Sequence, residues 1–461
     1  METKRMLIAV VLSMAILLVW QYFYAPEPPK TAPGKPEAPA PAAPASPAPG
    51  APAATSVLPV PAPPAPAQLQ APVTTAALEN DLMTIRLSSG GAAVVGASLK
   101  GYTDQAGNKG KPIELLSAGS TADYAGEARL AGGTLGPRAT FREVQRGPDR
   151  VVYAWDSPTG LQVEKTYVIA PGRYDLSLAI RIRNGSTQTF QDRLGLSMLR
   201  DYAARQEKHS FVGPSYFKDD KLQEVSEKDI KSAPVSEAGP VAWGALSDKY
   251  FLVAAVPPAP AGAVRVGHRP GAEKLVELEL EGAPFTLAPG EEKSFAYRLY
   301  LGPKLAKALT PVGSHLERVV DYGWFSIIAR PLLVFLNAIY SYIGNYGIAI
   351  ILLTTVVKAL FWPLSAKSFR SMQKMKDLQP KLQKLKERYA KDRERLNMEV
   401  MQLYKTHKVN PMGGCLPMLL QIPVFFALYR VLLDSIELRH APFALWIQDL
   451  SAPDRLFHFP F

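Results

Sequence analysis

The chain has 461 residues and is basic, with 52 Lys and Arg against 41 Asp and Glu and a formal net charge of +11. This length favours two or three domains. Cys415 is the single cysteine, which excludes an intrachain disulfide. The sequence contains no HExxH, CxxC or Walker A motif, so we predict no metal site, no nucleotide site and no cofactor.

The chain begins with an apolar segment, RMLIAVVLSMAILLVWQYFY, at residues 5–24. A cleaved signal peptide and an uncleaved anchor both fit a basic start followed by an apolar run. The aromatic end of the segment, which carries no small-x-small cleavage site, favours the anchor. We therefore predict a transmembrane anchor over 1–24, with its N-terminus in the cytoplasm.

A proline- and alanine-rich segment follows the anchor. It contains 17 prolines among the 49 residues from 25 to 73. Such a composition cannot bury a core and is typical of a semi-rigid polyproline spacer. We predict a linker over 25–76 that holds the next domain away from the outer face of the membrane.

Residues 77–310 have the pattern of one large β domain. Apolar and polar residues alternate in YDLSLAIRIR (174–183) and in LVELELEG (275–282), between turns rich in Pro and Gly. Many short strands with turn signals predict an all-β sandwich. A sugar- or peptide-binding cleft and a structural or partner-docking role both fit this domain.

The segment WFSIIARPLLVFLNAIYSYI, at 324–343, carries apolar residues roughly on one helical face and a proline, Pro331. This pattern favours an amphipathic helix lying in the outer membrane interface. A transmembrane helix is the alternative.

Two longer apolar segments follow, at 345–364 and 413–433, and each is long enough to span a bilayer as a helix. Between them, 365–410 is polar and helical in pattern, with 13 Lys and Arg against 5 Asp and Glu, or +8. The positive-inside rule assigns this helical hairpin to the cytoplasm. The β domain and the last segment, 434–461, are then outside. The predicted fold is a multi-pass membrane protein, with an α-helical transmembrane core and a large all-β periplasmic sandwich.

One block is specific to a known family. The pattern Asn-Pro-x-Gly-Gly-Cys-x-Pro occurs at 410–417, within KVNPMGGCLPMLLQIPVFFALYRVL, and SIELRHAPFALWIQDLSAPD follows it. These segments resemble the YidC membrane protein insertases, in particular the long Gram-negative form. The resemblance extends to the anchor, the linker, a periplasmic domain ending near LAPGEEKSFAYRLYLGPK, and the basic hairpin.

The resemblance implies a non-enzymatic insertase and chaperone of the bacterial inner membrane. Its substrates would be nascent hydrophobic membrane proteins, which it would insert alone or with the Sec translocon (SecYEG with the accessory SecDF). Family members have an intramembrane groove that is open to the cytoplasm and to lipid. We expect Lys358, Thr354 and Gln421 to line this substrate groove.

Each of these residues also has a simpler interpretation. Lys358 lies inside an apolar segment, and its side chain is long enough to snorkel towards the cytoplasmic headgroups. Thr354 has the alternative of bonding to its own helix, and Gln421 that of bonding across helices.

The cytoplasmic basic hairpin carries Lys381, Lys384, Lys386 and Arg388. Its charge suggests binding to anionic lipids, the ribosome or a targeting factor, or only a topology signal. Because the basic charge is concentrated beside membrane segments, no nucleic-acid sequence recognition is predicted.

The chain departs from the family pattern in two respects. The family usually has arginine at the position of Lys358, and lysine keeps the charge but loses the planar fork of donors. Members also have six transmembrane helices, whereas this chain ends at Phe461 after the third, so we expect a truncated form. A periplasm-spanning scaffold or energy transducer, and an enzyme with a sugar-binding sandwich, are the competing functions.

Overall fold

The computed structural model describes residues 73–107, 110–117, 123–202, 210–269, 272–389, 392–407 and 416–452. The anchor predicted over 1–24 and most of the linker predicted over 25–76 lie outside the described residues. So do the first residues of the segment predicted over 413–433 and the last residues of the segment predicted over 434–461.

Within the described residues, seventeen strands occupy the region from 75 to 303, and neighbouring strands pair in antiparallel fashion. The strands are β1 Thr75–Glu79, β2 Met83–Ser88, β3 Ala93–Thr103, β4 Pro112–Leu116, β5 Tyr124–Leu130, β6 Arg142–Arg146, β7 Arg150–Asp156, β8 Leu161–Ile169, β9 Asp175–Asn184, β10 Phe190–Asp201, β11 Gly213–Lys218, β12 Lys221–Glu224, β13 Val235–Ser247, β14 Phe251–Val256, β15 Ala261–Arg269, β16 Ala272–Leu287 and β17 Glu292–Pro303. One short helix, α1 Glu227–Ser232, interrupts them. The prediction of a mostly β domain is confirmed, and its first strand begins two residues before the predicted start.

The alternating sequence pattern correctly predicts which face of β9 is buried. Alternate residues from Leu176 to Ile182 are fully buried, and the residues between them are exposed. Successive side chains of a strand point to opposite faces, so this alternation places one face on a core and the other in water.

The strands form two layers that are joined through β13. β1, β2, β3, β5, β10, β16 and β15 pair in this order, and β15 pairs with the first half of β13. The second half of β13 pairs with β14, and the other layer continues through β17, β9, β8, β7 and β6. The pairing of β13 shifts between Ala238 and Val241, and this irregularity lets the strand change layers.

The two layers pack closely over a shared apolar core. Leu87 of β2 and Leu178 of β9 are both fully buried members of this core. At Gly126 of β5, where φ is 80°, a Cβ atom would lie 2.7 Å from Cδ1 of Leu299 in β17. Glycine therefore satisfies both the left-handed backbone and the close approach of the facing layer.

A lysine is buried in this core. The Lys165 amine of β8 donates hydrogen bonds to the carbonyl oxygens of Gly91 at 3.1 Å, Ala92 at 2.5 Å and Gly126 at 2.7 Å. Burial lowers the pKa of Lys165 to about 7, and the negative charge of Glu127 opposes that shift. The three donated bonds use every N–H of the ammonium form and tie β8 to the facing layer, whereas burial favours the neutral amine, which has only two N–H groups.

We expect this lysine to make stability depend on pH. Because its pKa is lower in the folded protein than in the unfolded chain, folding releases a proton above pH 7. The free energy of unfolding should therefore rise with pH, by up to about 1.4 kcal/mol per unit between about pH 7 and 9. Burial also lowers the pKa of Lys304, to about 8. Its contribution to the free energy of unfolding should therefore begin at a higher pH than that of Lys165.

Urea unfolding of the full chain at a series of pH values measures this slope. Lys165→Met should remove the rise in the free energy of unfolding just above pH 7. The rise that begins near pH 8, which comes from Lys304, should remain. An unchanged slope in Lys165→Met would contradict the assignment, whatever the stability of the variant.

After β17, the chain packs against β13 and β17 before it enters the helical region. Helix α2, Ala306–Leu309, and the turns at Thr310–Val312 and Leu316–Val319 bury apolar residues against Trp243 and Tyr300. The helices that follow are α3 Ser326–Ile343, α4 Tyr346–Arg388, α5 Arg393–Thr406 and α6 Leu416–Asp434.

The predicted boundary between 345–364 and 365–410 is one of composition, not of secondary structure. Helix α4 is continuous over 43 residues, about 65 Å, and contains both the apolar segment and the first arm of the basic hairpin. It includes Pro363 and Pro380. The helix ends at Arg388 and the next begins at Arg393, where Asp392 is its N-cap and accepts a hydrogen bond from the Arg395 amide.

Candidate functional site

The site begins with a tight turn between α3 and α4. Gly344 has φ 72° and its N–H donates to the Tyr340 carbonyl, which ends α3. Asn345 then caps α4, since its side-chain oxygen accepts from the Ile348 amide at 3.1 Å. Tyr340 and Tyr346 stack across the turn with ring centroids 3.7 Å apart. The sequence therefore ends α3 and begins α4 within one tight turn, and the two helices pack against each other.

Helix α6 completes a three-helix packing arrangement with this pair. Ala349 and Leu353 of α4, Leu336 of α3 and the half-buried Leu428 and Leu432 of α6 share one apolar cluster. A second cluster joins α3 and α6, and Phe325 stacks on Phe426 with centroids 5.7 Å apart. The N-terminal end of α4 and the C-terminal end of α6 meet in the first cluster, so these two helices run in opposite directions.

Lys358 lies on the flank of α4, away from its most buried face. It is twelve residues after Tyr346, about 18 Å along the helix axis. Leu353 is fully buried and Val357 is half-buried in the three-helix cluster, while the Lys358 side chain is exposed. Since successive helical residues are about 100° apart, Lys358 points beside the cluster rather than into it.

Thr354 lies one turn before Lys358 on the same side of α4. Its hydroxyl donates to the carbonyl oxygen of Ile351 at 2.8 Å, and the hydroxyl of Thr355 donates to the same oxygen at 2.8 Å. The simpler interpretation of Thr354, bonding to its own helix, is therefore present in the structure. A hydroxyl oxygen bonded in this way keeps lone pairs that accept from other groups.

Gln421 is half-buried and lies two turns before Leu428 on the same face of α6. Within the described part of the chain, no hydrogen bond or ion pair joins Gln421, Thr354 and Lys358 to one another. The structure thus places Thr354 and Lys358 one turn apart on α4, and the grouping of Gln421 with them stays a prediction.

The four predicted basic residues of the hairpin, Lys381, Lys384, Lys386 and Arg388, are all exposed in the last two turns of α4. The Lys381 amine lies 3.2 Å from Nε2 of His407, at the end of α5. This contact links the two arms of the hairpin.

Sequence reasoning missed the segment that follows α6. Ile436 is buried in the core of the β domain, and Leu438 is buried in the three-helix cluster. Arg439 donates to the Thr103 carbonyl at 2.5 Å and lies 5.6 Å from the ring centroid of Phe251. Single residues in an irregular segment carry these contacts, so no periodic pattern announces them.

Charged residues also meet at the C-terminal end of α6. Arg430 pairs with Asp434 at 3.2 Å, and the Ser210 hydroxyl donates to Asp434 at 2.7 Å. Lys304, with its pKa lowered to about 8 by burial, is electrostatically coupled to Asp434 and Glu224. Burial raises the pKa of Glu224. These groups connect the β domain to the helical region.

In the described residues, two helices are long and apolar enough to cross a membrane, at Gly323–Ile343 and Tyr346–Arg388. The first coincides with the helix predicted to lie in the interface, and its length and composition fit either placement. The same described residues contain no cluster of three or more His, Cys, Asp or Glu side chains that could hold a metal ion.

Comparison with solved structures finds weak likeness over half of the chain. A galactose mutarotase-like protein from Lactobacillus casei is 11% identical, with a TM-score of 0.38 over 50% of this chain and 100% of that chain. A putative aldose 1-epimerase from Escherichia coli is 12% identical, with a TM-score of 0.33 over 50% and 99%. These values carry no argument about a ligand or an activity.

Comparison with families and curated proteins is specific. The model of the YidC periplasmic domain matches residues 75–335, and that of the 60Kd inner membrane protein matches residues 338–461. The membrane protein insertase YidC of Geobacter metallireducens is 40% identical over 98% of this chain and 85% of its own length. That of Syntrophobacter fumaroxidans is 38% identical over the same shares. The resemblance seen in the sequence is confirmed, and the chain belongs to the YidC family of membrane protein insertases.

Proposed function

We propose that this protein inserts nascent hydrophobic proteins into the bacterial inner membrane through a polar groove that contains Lys358. The observation that carries the proposal is an exposed lysine on the flank of the apolar half of α4, beside a three-helix cluster. An isolated charge near the centre of a bilayer is unfavourable by about 2.5–3.5 kcal/mol, and a wet cavity removes much of that penalty.

In the proposed mechanism, the basic side chain attracts an acidic or polar tail of the incoming segment. The tail then crosses a shorter apolar barrier, and the hydrophobic part of the segment moves into lipid by the hydrophobic effect. No covalent bond is made or broken. Thr354 and Gln421 add hydrogen-bonding groups to the same groove.

The proposed topology has the N-terminus and the basic hairpin in the cytoplasm and the β domain in the periplasm. Helix α4 and the segment at 413–433 cross the membrane, as does the segment at 1–24. Helix α3 lies in the outer interface. The concentration of positive charge in the hairpin supports this orientation.

We also propose that the hairpin recruits partners through its charge. Anionic lipid headgroups, the ribosome or a targeting factor present acidic surfaces to the cytoplasmic face. The Sec translocon, SecYEG with SecDF, is a further proposed partner for substrates with large translocated regions.

Site-specific cross-linking to a nascent chain tests the groove. A photoreactive residue in place of Thr354 should form adducts with a ribosome-bound membrane protein. The same residue at Ile348, on the outer part of α4, provides the matched control. Adducts of equal yield at both positions would argue against a groove near Lys358.

Neutralising Lys381, Lys384, Lys386 and Arg388 together should weaken binding to vesicles that contain anionic lipid. The residual binding should also lose its dependence on salt, because exposed charges are screened within about 10 Å at 0.1 M salt. Flotation of the reconstituted or detergent-purified chain with vesicles of stated charge measures both effects.

The control for this charge test replaces Lys228, Arg142, Lys293 and Lys100 of the β domain instead. It removes the same charge from the opposite side of the predicted membrane. If both sets of changes act equally, the hairpin has no special role in binding and serves only as a topology signal.

The periplasm-spanning scaffold and the sugar-binding enzyme remain weaker alternatives. Both account for an anchor, an arm and an outer domain, but neither uses a lysine within an apolar helix. Relatives named as membrane protein insertases align with 98% of this chain, which supports the insertase over both alternatives.

A further inference from the structure

A charged groove of about 440 Å³ lies where the β domain meets the start of α3. Its lining includes Lys221 and Leu222 of β12, Arg318 and Asp321 of the segment before α3, and Arg330 of α3. This groove is separate from the proposed substrate groove at Lys358, and nothing in the proposed insertion mechanism uses it.

One of the cations that line the groove, Arg318, is held in place. The Arg318 guanidinium lies 5.6 Å from the ring centroid of Phe217, and Phe217 stacks on the buried Trp243 with centroids 5.6 Å apart. The same guanidinium donates to the Asp220 carbonyl oxygen at 3.3 Å. An arginine stacked and bonded in this way is oriented in advance for an anionic oxygen.

Two carboxylates, Asp220 and Asp321, also line the groove. Asp321 accepts hydrogen bonds from the Gly323 amide at 3.0 Å and from the Ser326 hydroxyl at 2.8 Å, which orders the entry into α3. Asp220 is highly exposed and lies 3.8 Å from Arg318. Among the described residues, neither Lys221 nor Arg330 forms an ion pair. The groove therefore presents cationic groups in excess of acidic ones.

Two large apolar residues that directly follow groove-lining residues in the sequence are highly exposed. Trp324 is 95% exposed and Ile327 is 86% exposed, and both lie within the first turns leading into α3. Tryptophan is enriched where proteins meet the headgroup region of a membrane. A pair of such exposed residues next to a cationic groove fits a lipid surface better than open solvent.

We propose that this groove binds the phosphate of an anionic phospholipid, such as phosphatidylglycerol, in the outer leaflet. The phosphate oxygens would accept from Arg318, Arg330 and Lys221, while Trp324 and Ile327 enter the acyl region beside it. The inference rests on the proposed periplasmic position of the β domain. Its consequence is that lipid holds the junction between the β domain and α3 at the membrane surface.

The test uses the full chain in nanodiscs that contain equal amounts of phosphatidylglycerol and phosphatidylcholine. A photoreactive residue replaces Gln223 at the rim of the groove, or Val334 on the exposed side of α3 as the matched control. Mass spectrometry measures the ratio of the two lipids among the adducts. Binding of lipid is read directly, so the result does not depend on insertion activity.

We expect phosphatidylglycerol to be favoured by about tenfold at position 223 and not at position 334, because each cation near the surface attracts anionic lipid. Lys221→Gln with Arg330→Gln should bring the ratio at position 223 to that at 334. Lys228→Gln with Arg142→Gln removes the same charge elsewhere and should leave the ratio unchanged.

An equal ratio at the two positions would overturn the proposal, as would a ratio that the groove variants leave intact. Added inorganic phosphate should not abolish the preference, because the bilayer keeps the lipid phosphate at high local concentration. If it does, the groove binds free phosphate rather than lipid. Normal lipid selection with failed substrate cross-linking at Thr354 would refute the substrate groove alone.

Discussion

Lys358→Glu is expected to slow the insertion of a substrate with an acidic translocated tail by about tenfold, and more than Lys358→Leu does. Charge reversal turns attraction into repulsion of comparable size, whereas leucine only removes the attraction. A change of about 1.4 kcal/mol in the barrier is a factor of ten in rate. Lys358→Arg should be close to neutral, because it keeps the charge in a wet cavity.

Two model substrates that differ only in tail charge separate this role from snorkelling. Protease protection would be measured in cells depleted of the native insertase, with variants expressed at matched levels. Snorkelling predicts equal insertion of both substrates by the Lys, Leu and Glu forms. That result would remove Lys358 from the substrate path.

Removal of the Asp248 carboxylate is expected to lower the free energy of unfolding by about 3–5 kcal/mol, because it leaves a buried charge unpaired. Arg200 is fully buried, and its Nη2 lies 2.6 Å from Oδ2 of Asp248. Its second donor bond is long, 3.4 Å to the Leu246 carbonyl. Lys304 also loses an electrostatic partner in Asp248→Ala.

Denaturant unfolding of the full chain in detergent, followed by the near-ultraviolet signal of buried aromatic residues, measures this loss. Asp156→Ala is the matched control, since Asp156 pairs with Arg142 at 3.9 Å on the exposed surface. We expect the control to change stability by less than about 1 kcal/mol. If Asp248→Ala and Asp156→Ala lower the free energy of unfolding by similar amounts, the loss does not come from breaking the Arg200–Asp248 pair.

Stability and insertion are separable in these experiments. Asp248 lies in the β domain and Lys358 lies on α4, so a variant of one should leave the local environment of the other intact. Asp248→Ala should lower the amount of folded protein and affect both model substrates alike. Lys358→Glu should discriminate between the substrates at a normal protein level.

The sequence by itself determined the elements whose pattern has a short period. The alternation over 174–183 predicted β9 and its buried face, because a strand has a period of two. The apolar and basic segments after 345 predicted long helices, and a specific Asn-Pro-x-Gly-Gly-Cys-x-Pro block indicated the family. This block can be recognised from the order of its residues alone, without knowing which residues lie near it in space.

Only the tertiary structure decided which apolar residues face protein. In α3, Ala329 and Leu336 are buried while Ile327 and Tyr342 are 86% and 90% exposed, although all four suit an apolar environment. Composition cannot separate the two cases, because lipid and protein interior are both apolar.

Contacts between distant parts of the chain likewise could not be predicted from the sequence. Ile436 enters the β core, Arg439 bonds to Thr103, and the cations of the groove come from β12, the segment before α3 and α3 itself. Such contacts depend on where folded elements meet, and residues far apart in sequence carry no local periodic signal of that meeting. The physical reason is that hydrophobic patterning specifies an element and its buried face, whereas packing of complete elements selects their partners.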